Sequence, residues 1–233
     1  MVRPGFSFES SPIGLVARAE GVIAFFGNRH SSESAVQEAF PGLQFRYLTQ
    51  THSADVIGSR LGRPEADAHW TDESGVALAV RTADCLPVLF ASRDGRAVAA
   101  VHAGWRGIEN EILLRTGVAL LEAGHLPSSF RAAVGPGIGP RSFEVGTDVA
   151  ERLEACFRKV RFDQSDTSLS HHEFSGKKRV DLPKIAFSQL RAAGLAESAV
   201  AGICADTCAD PGYFSYRREG AGAGRQVSFV ARV

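Results

Sequence analysis

RTADCLPVLFASRDGRAVAAVHAGWRG, residues 81–107, holds the reading on which the fold turns. Leu86 to Ala91 is a short apolar run with a proline at its start, and Ala97 to Val101 is a second apolar run. Between them Ser92 to Arg96 carries an Asp-Gly pair, a strong hairpin signal. The spacing therefore predicts two strands joined by a tight turn. A hairpin brings its open ends side by side, so Cys85, just before the first strand, and His102, at the end of the second, are expected close in space. The segment Ala103-Gly104-Trp105-Arg106-Gly107 then leads into a helical pattern. A thiol, an imidazole and a Gly-flanked turn into a helix are parts from which a chemical site can be built. They are also what a buried hydrophobic Cys and a hydrogen-bonded His would look like.

Working outward, 233 residues are enough for one large core or two small ones. Twenty-six basic residues balance twenty-six acidic ones, with no basic block, which argues against nucleic acid as a main partner. No apolar run approaches the length of a membrane span. The N-terminal MVRPGFSFESSP lacks an apolar signal-peptide core. Four cysteines (Cys85, Cys156, Cys204, Cys208) in such a chain point to reduced thiols and a cytoplasmic location. Cys156 shares a helical apolar stripe with Val149, Leu153, Phe157 and Val160, so packing accounts for it.

Upstream, Gly21 to Gly27 reads as a buried strand followed by Asn28, Arg29 and His30 at a turn. Ser31 to Phe40 reads as a short helix with Ser34 and Gln37 at capping-box spacing. Phe45 to Leu48 reads as a strand running into Gln50-Thr51-His52-Ser53, so His52 is expected at a strand end. Val76 to Val80 leads into the hairpin. Downstream, Gly107 to Gly124 is the clearest helix, with Ile108, Ile112, Thr116, Ala119 and Leu120 on one face and Gly124 at its stop. Phe130 to Val134 reads as a strand entering the loop Gly135-Pro136-Gly137-Ile138-Gly139-Pro140. A helix starts at Thr147 as N-cap, and residues 163–178 read as a polar surface loop. Asp181 caps a helix with Pro183 in its first turn and Gly194 as its stop. Val200 to Cys204 and Val227 to Val230 read as the last strands. Strands and helices mix without strict alternation, which predicts an α+β fold with mixed sheets in a single domain, 1–233.

His52, Cys85 and His102 are three borderline-soft ligands at predicted strand ends. Two imidazoles and a thiolate form the ligand set of several catalytic zinc sites. No short zinc motif accompanies them, and spacing alone leaves open one core Cys and two unrelated His. His171-His172 sits in polar surroundings that favour a solvated loop. Cys204 and Cys208 are not at redox Cys-x-x-Cys spacing and read as unpaired thiols. The Gly135 to Pro140 loop lacks two N–H donors at its prolines and reads as a structural turn. Arg217 and Arg218 are candidates for holding phosphate.

Six stretches together resemble one family: QTHSADV (50–56), ADAHWT (66–71), TADCLP (82–87), VHAGWRG (101–107), GPGIGPRSFEVG (135–146) and FSYRRE (214–219) with Gly224-Arg225-Gln226. This is the YfiH-like, or laccase-domain, family, long labelled multicopper polyphenol oxidases. The resemblance runs from about Gly21 to Val233. It implies a sandwich of mixed β-sheets flanked by helices, similar to a toxin deamidase. It also implies phosphorolysis of adenosine, inosine, guanosine and methylthioadenosine, and deamination of adenosine. The metal, and the catalytic group, would be zinc on His52, Cys85 and His102, with copper the weaker expectation. Arg29 matches the family arginine near the nucleoside, although Asn28-Arg29-His30-Ser31-Ser32 departs from the family's Thr-Arg-x-Gly-Gly. A second departure is Arg141-Ser142-Phe143, where relatives often carry Cys-Cys-Tyr. Asp67, Asp84 and Glu144 are candidates for proton transfer by their place in the motifs. The partners implied are purine nucleosides and phosphate, with the chain a monomer or homodimer. Three other readings compete: a copper phenol oxidase, for which seven His are too few; a metal-free Cys85–His102 hydrolase; and a nucleoside-sensing binding protein.

Overall fold

Residues 6–161, 169–172, 176–203 and 205–233 are described in the computed structural model of this chain. The strands in chain order are β1 (Glu9–Ser11), β2 (Gly14–Ala19), β3 (Val22–Gly27), β4 (Gln44–Arg46), β5 (Val56–Gly58), β6 (Ala68–Thr71), β7 (Val76–Thr82) and β8 (Leu86–Ser92). They continue with β9 (Val98–Ala103), β10 (Phe130–Val134), β11 (Glu144–Gly146), β12 (Ser170–His172), β13 (Lys177–Val180), β14 (Val200–Gly202) and β15 (Gln226–Arg232). The helices are α1 (Glu33–Ala39), α2 (Trp105–Glu109), α3 (Ile112–Glu122), α4 (Thr147–Val160), α5 (Leu182–Ala192) and α6 (Tyr216–Glu219).

The predicted hairpin is present. β8 and β9 pair antiparallel, with Leu86 opposite Ala103 and Pro87 opposite His102. Gly95 in its turn has φ +69°, a conformation that favours glycine. The hairpin occupies the middle of a six-stranded sheet of order β14-β10-β8-β9-β6-β5. A second six-stranded sheet has the order β1-β2-β3-β15-β7-β4, and β11-β13-β12 form a small third one. Both large sheets are mixed, since β4/β7, β5/β6 and β10/β14 pair parallel and the other pairs antiparallel.

The sheets stack face to face with helices outside, the expected sandwich. Along β8, Val88 and Phe90 point into the core under the helices, while Leu89 and Ala91 join the core between the sheets. A strand covered on both faces needs apolar residues at every position, which is why it reads as an unbroken apolar run. Leu113, Leu120, Leu153, Phe157, Ile185 and Leu190 from α3, α4 and α5 close the first of these cores. On the other outer side, α1 lays Val36 over Phe25 and Phe229. Burying each such side chain contributes about 1.5–3 kcal/mol. Cys156 is buried in the helical core, as its stripe predicts.

Several local expectations are corrected. The helix expected over 107–124 is two helices, broken at Glu111, whose φ of +64° is left-handed. The Ile108 carbonyl, which would accept from Ile112 in an unbroken helix, accepts instead from the Glu111 N–H at 3.0 Å and from the buried Gln189 side-chain amide at 2.6 Å. The α1 cap is Ser32, whose hydroxyl accepts from Ala35 N–H at 3.1 Å, and not Ser34. Gly146 occupies the α4 cap position, while the Thr147 hydroxyl donates to the Gly176 carbonyl. Part of the expected surface loop is strand, β12 and the start of β13; residues 162–168 and 173–175 lie outside the described residues. The Asp181 cap of α5 is as expected, accepting from Lys184 N–H at 2.9 Å. Among the described residues, no helix is long and apolar enough to cross a membrane.

Between the sheets lies one titratable group with a measurable consequence. His69 on β6 is buried, and burial pushes its imidazole down to about 3. The unfolded chain binds the proton near the ordinary value of 6.5, so this contribution is fully present above about pH 6.5. It is lost as pH falls from there toward 3, at up to about 1.4 kcal/mol per pH unit. The expected result is that His69→Phe flattens the acid limb of stability. Between pH 7.5 and pH 5 the wild type loses about 2 kcal/mol more than the variant, measured by urea unfolding at both values. Parallel acid limbs would show that His69 does not set this slope.

Candidate metal centre

The site is assembled at one end of the hairpin from three separate segments. His102 is held inside β9, and Cys85 sits in the turn between β7 and β8. β4 ends at Arg46, so His52 is not at a strand end but in the loop beyond, with a left-handed φ of +61°. A fully buried carboxylate, Asp67, fixes that loop. Its oxygens accept from the backbone N–H groups of Thr51 (3.1 Å), His52 (3.1 Å) and Ser53 (2.7 Å), and from the Ser53 hydroxyl at 2.8 Å. The same carboxylate pairs with His102 Nδ1 at 2.7 Å. The bond to Nδ1 fixes the ring and leaves Nε2 as the nitrogen for a metal, the usual second partner of a metal-binding His. Gln50 clamps the neighbouring strand, exchanging two 2.8 Å hydrogen bonds with the Arg81 backbone.

One ligand atom each from His52, Cys85 and His102 lies within 4.8 Å of the others. Cys85 Sγ is 3.8 Å from His52 Nε2, and the two imidazoles meet edge to face at 4.9 Å between centroids. A tetrahedral zinc with bonds of about 2.0–2.3 Å holds its donors about 3.5 Å apart, so this set fits a metal after small side-chain movements. Gly104 keeps space for the ligands: a Cβ there would lie 3.0 Å from His52 Cδ2 and 3.1 Å from Cys85 Sγ, pressing on both. His102 is buried, Cys85 half-buried and His52 exposed, so the group opens on the His52 side.

The charges are mutually supporting. Burial raises the Cys85 thiol, but the imidazoles of His102 and His52 overcome this and bring it down to about 6. Burial lowers His102, but Cys85 and Asp67 together raise it to about 9. Burial also raises Asp67, yet the bonds from His102 and Ser53 hold it down to about 2. Without a metal, these directions favour a thiolate, an imidazolium and a carboxylate side by side. A soft cation would displace the imidazolium proton and keep the thiolate.

The ligand group lies in a cleft of about 950 Å³, also lined by Trp105, Tyr216 and four arginines, Arg81, Arg106, Arg217 and Arg225. Asp84 anchors one wall: its carboxylate accepts from the Thr207 hydroxyl at 2.8 Å and from the Arg217 N–H at 2.6 Å. Of the proton-transfer candidates, Asp67 and Asp84 are thus committed to positioning, and Glu144 on the rim is paired with Lys177 at 2.8 Å. Arg29 is not among the residues lining the cleft. It donates to the Pro211 carbonyl at 2.7 Å, pairs with Glu219 at 3.5 Å and stacks on Phe214, beneath the segment that carries α6. Arg218 is also spent structurally, on the carbonyls of Thr207, Cys208 and Tyr213 and on Glu219. The Gly135 to Pro140 loop is the expected structural turn, with the N–H groups of Gly135, Gly137 and Ile138 bonded to backbone carbonyls. Cys208 is unpaired, whereas Cys204 and the side chains of His171 and His172 lie outside the described residues. Sequence reasoning missed Arg81, Arg106 and Arg225; their only signal is membership of the Thr82, Val101 and Gly224 motif neighbourhoods.

Residues 27–233 match the family described as multi-copper polyphenol oxidoreductase laccase. The chain is 37% identical over 187 residues to a Shigella flexneri protein named purine nucleoside phosphorylase YfiH, covering 79% of this chain and 72% of that one. It is 36% identical over 192 residues to a Deinococcus radiodurans protein named purine nucleoside phosphorylase, covering 82% and 71%. Among solved structures, the Neisseria meningitidis protein NMB0706 superposes with a TM-score of 0.80 at 31% identity, covering 98% and 99% of the two chains. YlmD from Geobacillus stearothermophilus shares the fold, with a TM-score of 0.85 at 24% identity over 99% of both chains.

Proposed function

We propose, because this chain belongs to the YfiH-like laccase-domain family, that it is a zinc-dependent purine nucleoside enzyme. It would cleave nucleosides with phosphate and deaminate adenosine. The observation that carries the reading is the His52–Cys85–His102 donor set opening into an arginine-lined cleft. Relatives named purine nucleoside phosphorylase support it. Bound zinc would supply Lewis acidity at an open position on the cleft side. The chain's own residues do the rest. Asp67 holds the His102 ring and the backbone of the His52 loop in register. Tyr216, 54% exposed and without a ring partner among the described residues, offers a free aromatic face for the purine. In phosphorolysis a phosphate oxygen bonds to ribose C1′ as the C1′–N9 bond breaks; the electron pair leaves with the purine, which takes up a proton. In deamination water adds at C6 and ammonia departs. Arg29 acts on the substrate through the Phe214–Glu219 segment that it braces.

The test is metal analysis of protein purified without added metal, together with turnover of inosine and adenosine with and without phosphate. About one zinc per chain, phosphate-dependent release of purine base and conversion of adenosine to inosine are expected. Copper in excess of zinc, or no turnover of either nucleoside by the zinc-loaded protein, would overturn the reading. One observation favours a second reading: Cys85, His102 and Asp67 in line resemble a thiolate–imidazolium–carboxylate hydrolase. That enzyme would be indifferent to chelators.

A further inference from the structure

Three of the four cleft arginines share a property that the fold does not explain. In a chain of balanced charge, the guanidiniums nearby are matched to carboxylates: Arg81 to Glu33 at 3.3 Å, Arg29 and Arg218 to Glu219 at 3.5 and 2.6 Å. Arg106, Arg217 and Arg225 form no ion pair with a carboxylate among the described residues; Arg217 only helps, behind Lys177 and Arg179, to hold the Glu144 carboxyl down. Arg106 only stacks on Trp105, at 4.5 Å. Arg217 gives one Nη1 bond to the Ser142 carbonyl at 3.1 Å and lies over Phe143 at 5.8 Å. Arg225 bonds only the carbonyls of Ala223 and Gly224, at 2.7 and 2.8 Å. The two acidic residues of the cleft wall are already engaged, Asp84 by Thr207 and the Arg217 backbone, Glu144 by Lys177.

These three side chains come from unrelated parts of the chain, α2, α6 and the turn before β15, yet line the same cleft as the ligand group. All three are exposed, so their guanidiniums face the solvent of the cleft, and like charges lining one concave surface raise the local concentration of an anion there. Guanidinium forks match phosphate oxygens, and each keeps free N–H donors for them. The carbonyls that Arg217 and Arg225 contact use one nitrogen of each guanidinium and carry no charge, so the other donors remain for a ligand.

We propose that Arg106, Arg217 and Arg225 form a phosphate subsite that holds the inorganic co-substrate beside the metal centre. This rests on the phosphorolysis reading, so the test separates the two. Inorganic phosphate is titrated calorimetrically into the zinc-loaded protein without nucleoside. The same titration is run on Arg106→Ala, Arg217→Ala, Arg225→Ala, Arg217→Lys and, as a control far from the cleft, Arg96→Ala on the hairpin turn. Wild type and Arg96→Ala should bind phosphate alike. Each cleft alanine variant should bind at least about tenfold more weakly, with zinc content and melting temperature unchanged, and Arg217→Lys should recover part of the loss. In turnover, KM for phosphate should rise by the same factor while KM for inosine moves little. Phosphate binding unchanged in all three alanine variants would overturn the subsite while leaving phosphorolysis standing. Absent phosphate binding together with absent phosphorolysis in the wild type would take both down. If adenosine 5′-monophosphate binds through these arginines and inorganic phosphate does not, the positive wall reads a phosphoryl group on the nucleoside, and the proposal fails.

Discussion

Under the zinc phosphorylase proposal, Cys85→Ser is expected to leave the protein without bound metal and to lower nucleoside phosphorolysis by roughly a thousandfold, the loss of several kcal/mol of Lewis-acid stabilisation. The fold should survive, because Cys85 sits in a half-buried turn and a hydroxyl replaces the thiol in nearly the same volume. The chemistry of the site makes the same residue a reporter. Bound to zinc, its thiolate is tied up and should resist alkylation. Removal of zinc by a chelator exposes a thiol held down to about 6, mostly ionised at neutral pH and quick to react. Mass spectrometry of alkylated protein, with and without chelator, measures this directly. Fast modification of Cys85 in zinc-loaded, active protein would remove it from the ligand set and favour the metal-free hydrolase.

The second large effect is expected at Asp67, which touches neither cleft nor metal. Truncation to alanine leaves the backbone donors of residues 51–53 and the Nδ1–H of His102 without their acceptor in a dry environment. Breaking a buried charged pair in this way costs about 3–5 kcal/mol, so Asp67→Ala should melt far below the wild type. Asp67→Asn keeps the volume and one acceptor oxygen, and should fold while binding zinc about 10–100-fold more weakly. Zinc affinity by competition with a chromophoric chelator, together with thermal melts, separates the two effects. Wild-type zinc affinity in a folded Asp67→Asn would show that the His52 loop is held by other means.

The hairpin was legible because its signals are local. An Asp-Gly turn sits between two apolar runs, and strand pairing alone then brings Cys85 next to His102. The α+β class was legible from the absence of strict alternation, whereas the sandwich of sheets followed only from the family resemblance. What stayed hidden depends on contacts between distant segments. His52 owes its position to a carboxylate fifteen residues later that binds mainly backbone N–H groups, and nothing in side-chain patterning marks that. The break at Glu111 is invisible because Ile108 and Ile112 keep helical spacing through it. The Ile108 carbonyl loses Ile112 as donor but keeps one from the Glu111 N–H, and the Gln189 and Cys156 side chains add to it. Arg106 and Arg225 become interesting only when tertiary structure shows them lining one cleft without ion pairs to carboxylates. Arg218 and Arg29, which look equally available in the sequence, turn out to be braces.

The position of β15 bears on how the protein is made. It is the last strand in chain order, yet it lies between β3 and β7 in the middle of its sheet, pairing antiparallel with both. On the ribosome, β3 and β7 therefore emerge with nothing to join them and present two open, apolar edges while most of the chain is still being translated. The halves of that sheet can unite only when residues 226–232 arrive, so completion is a late event joining partners about two hundred residues apart in sequence for the β3 side. Nascent chains stalled before Gln226 should thus be natural clients of holding chaperones, and a synthetic peptide spanning β15, supplied in trans, should be able to close the gap.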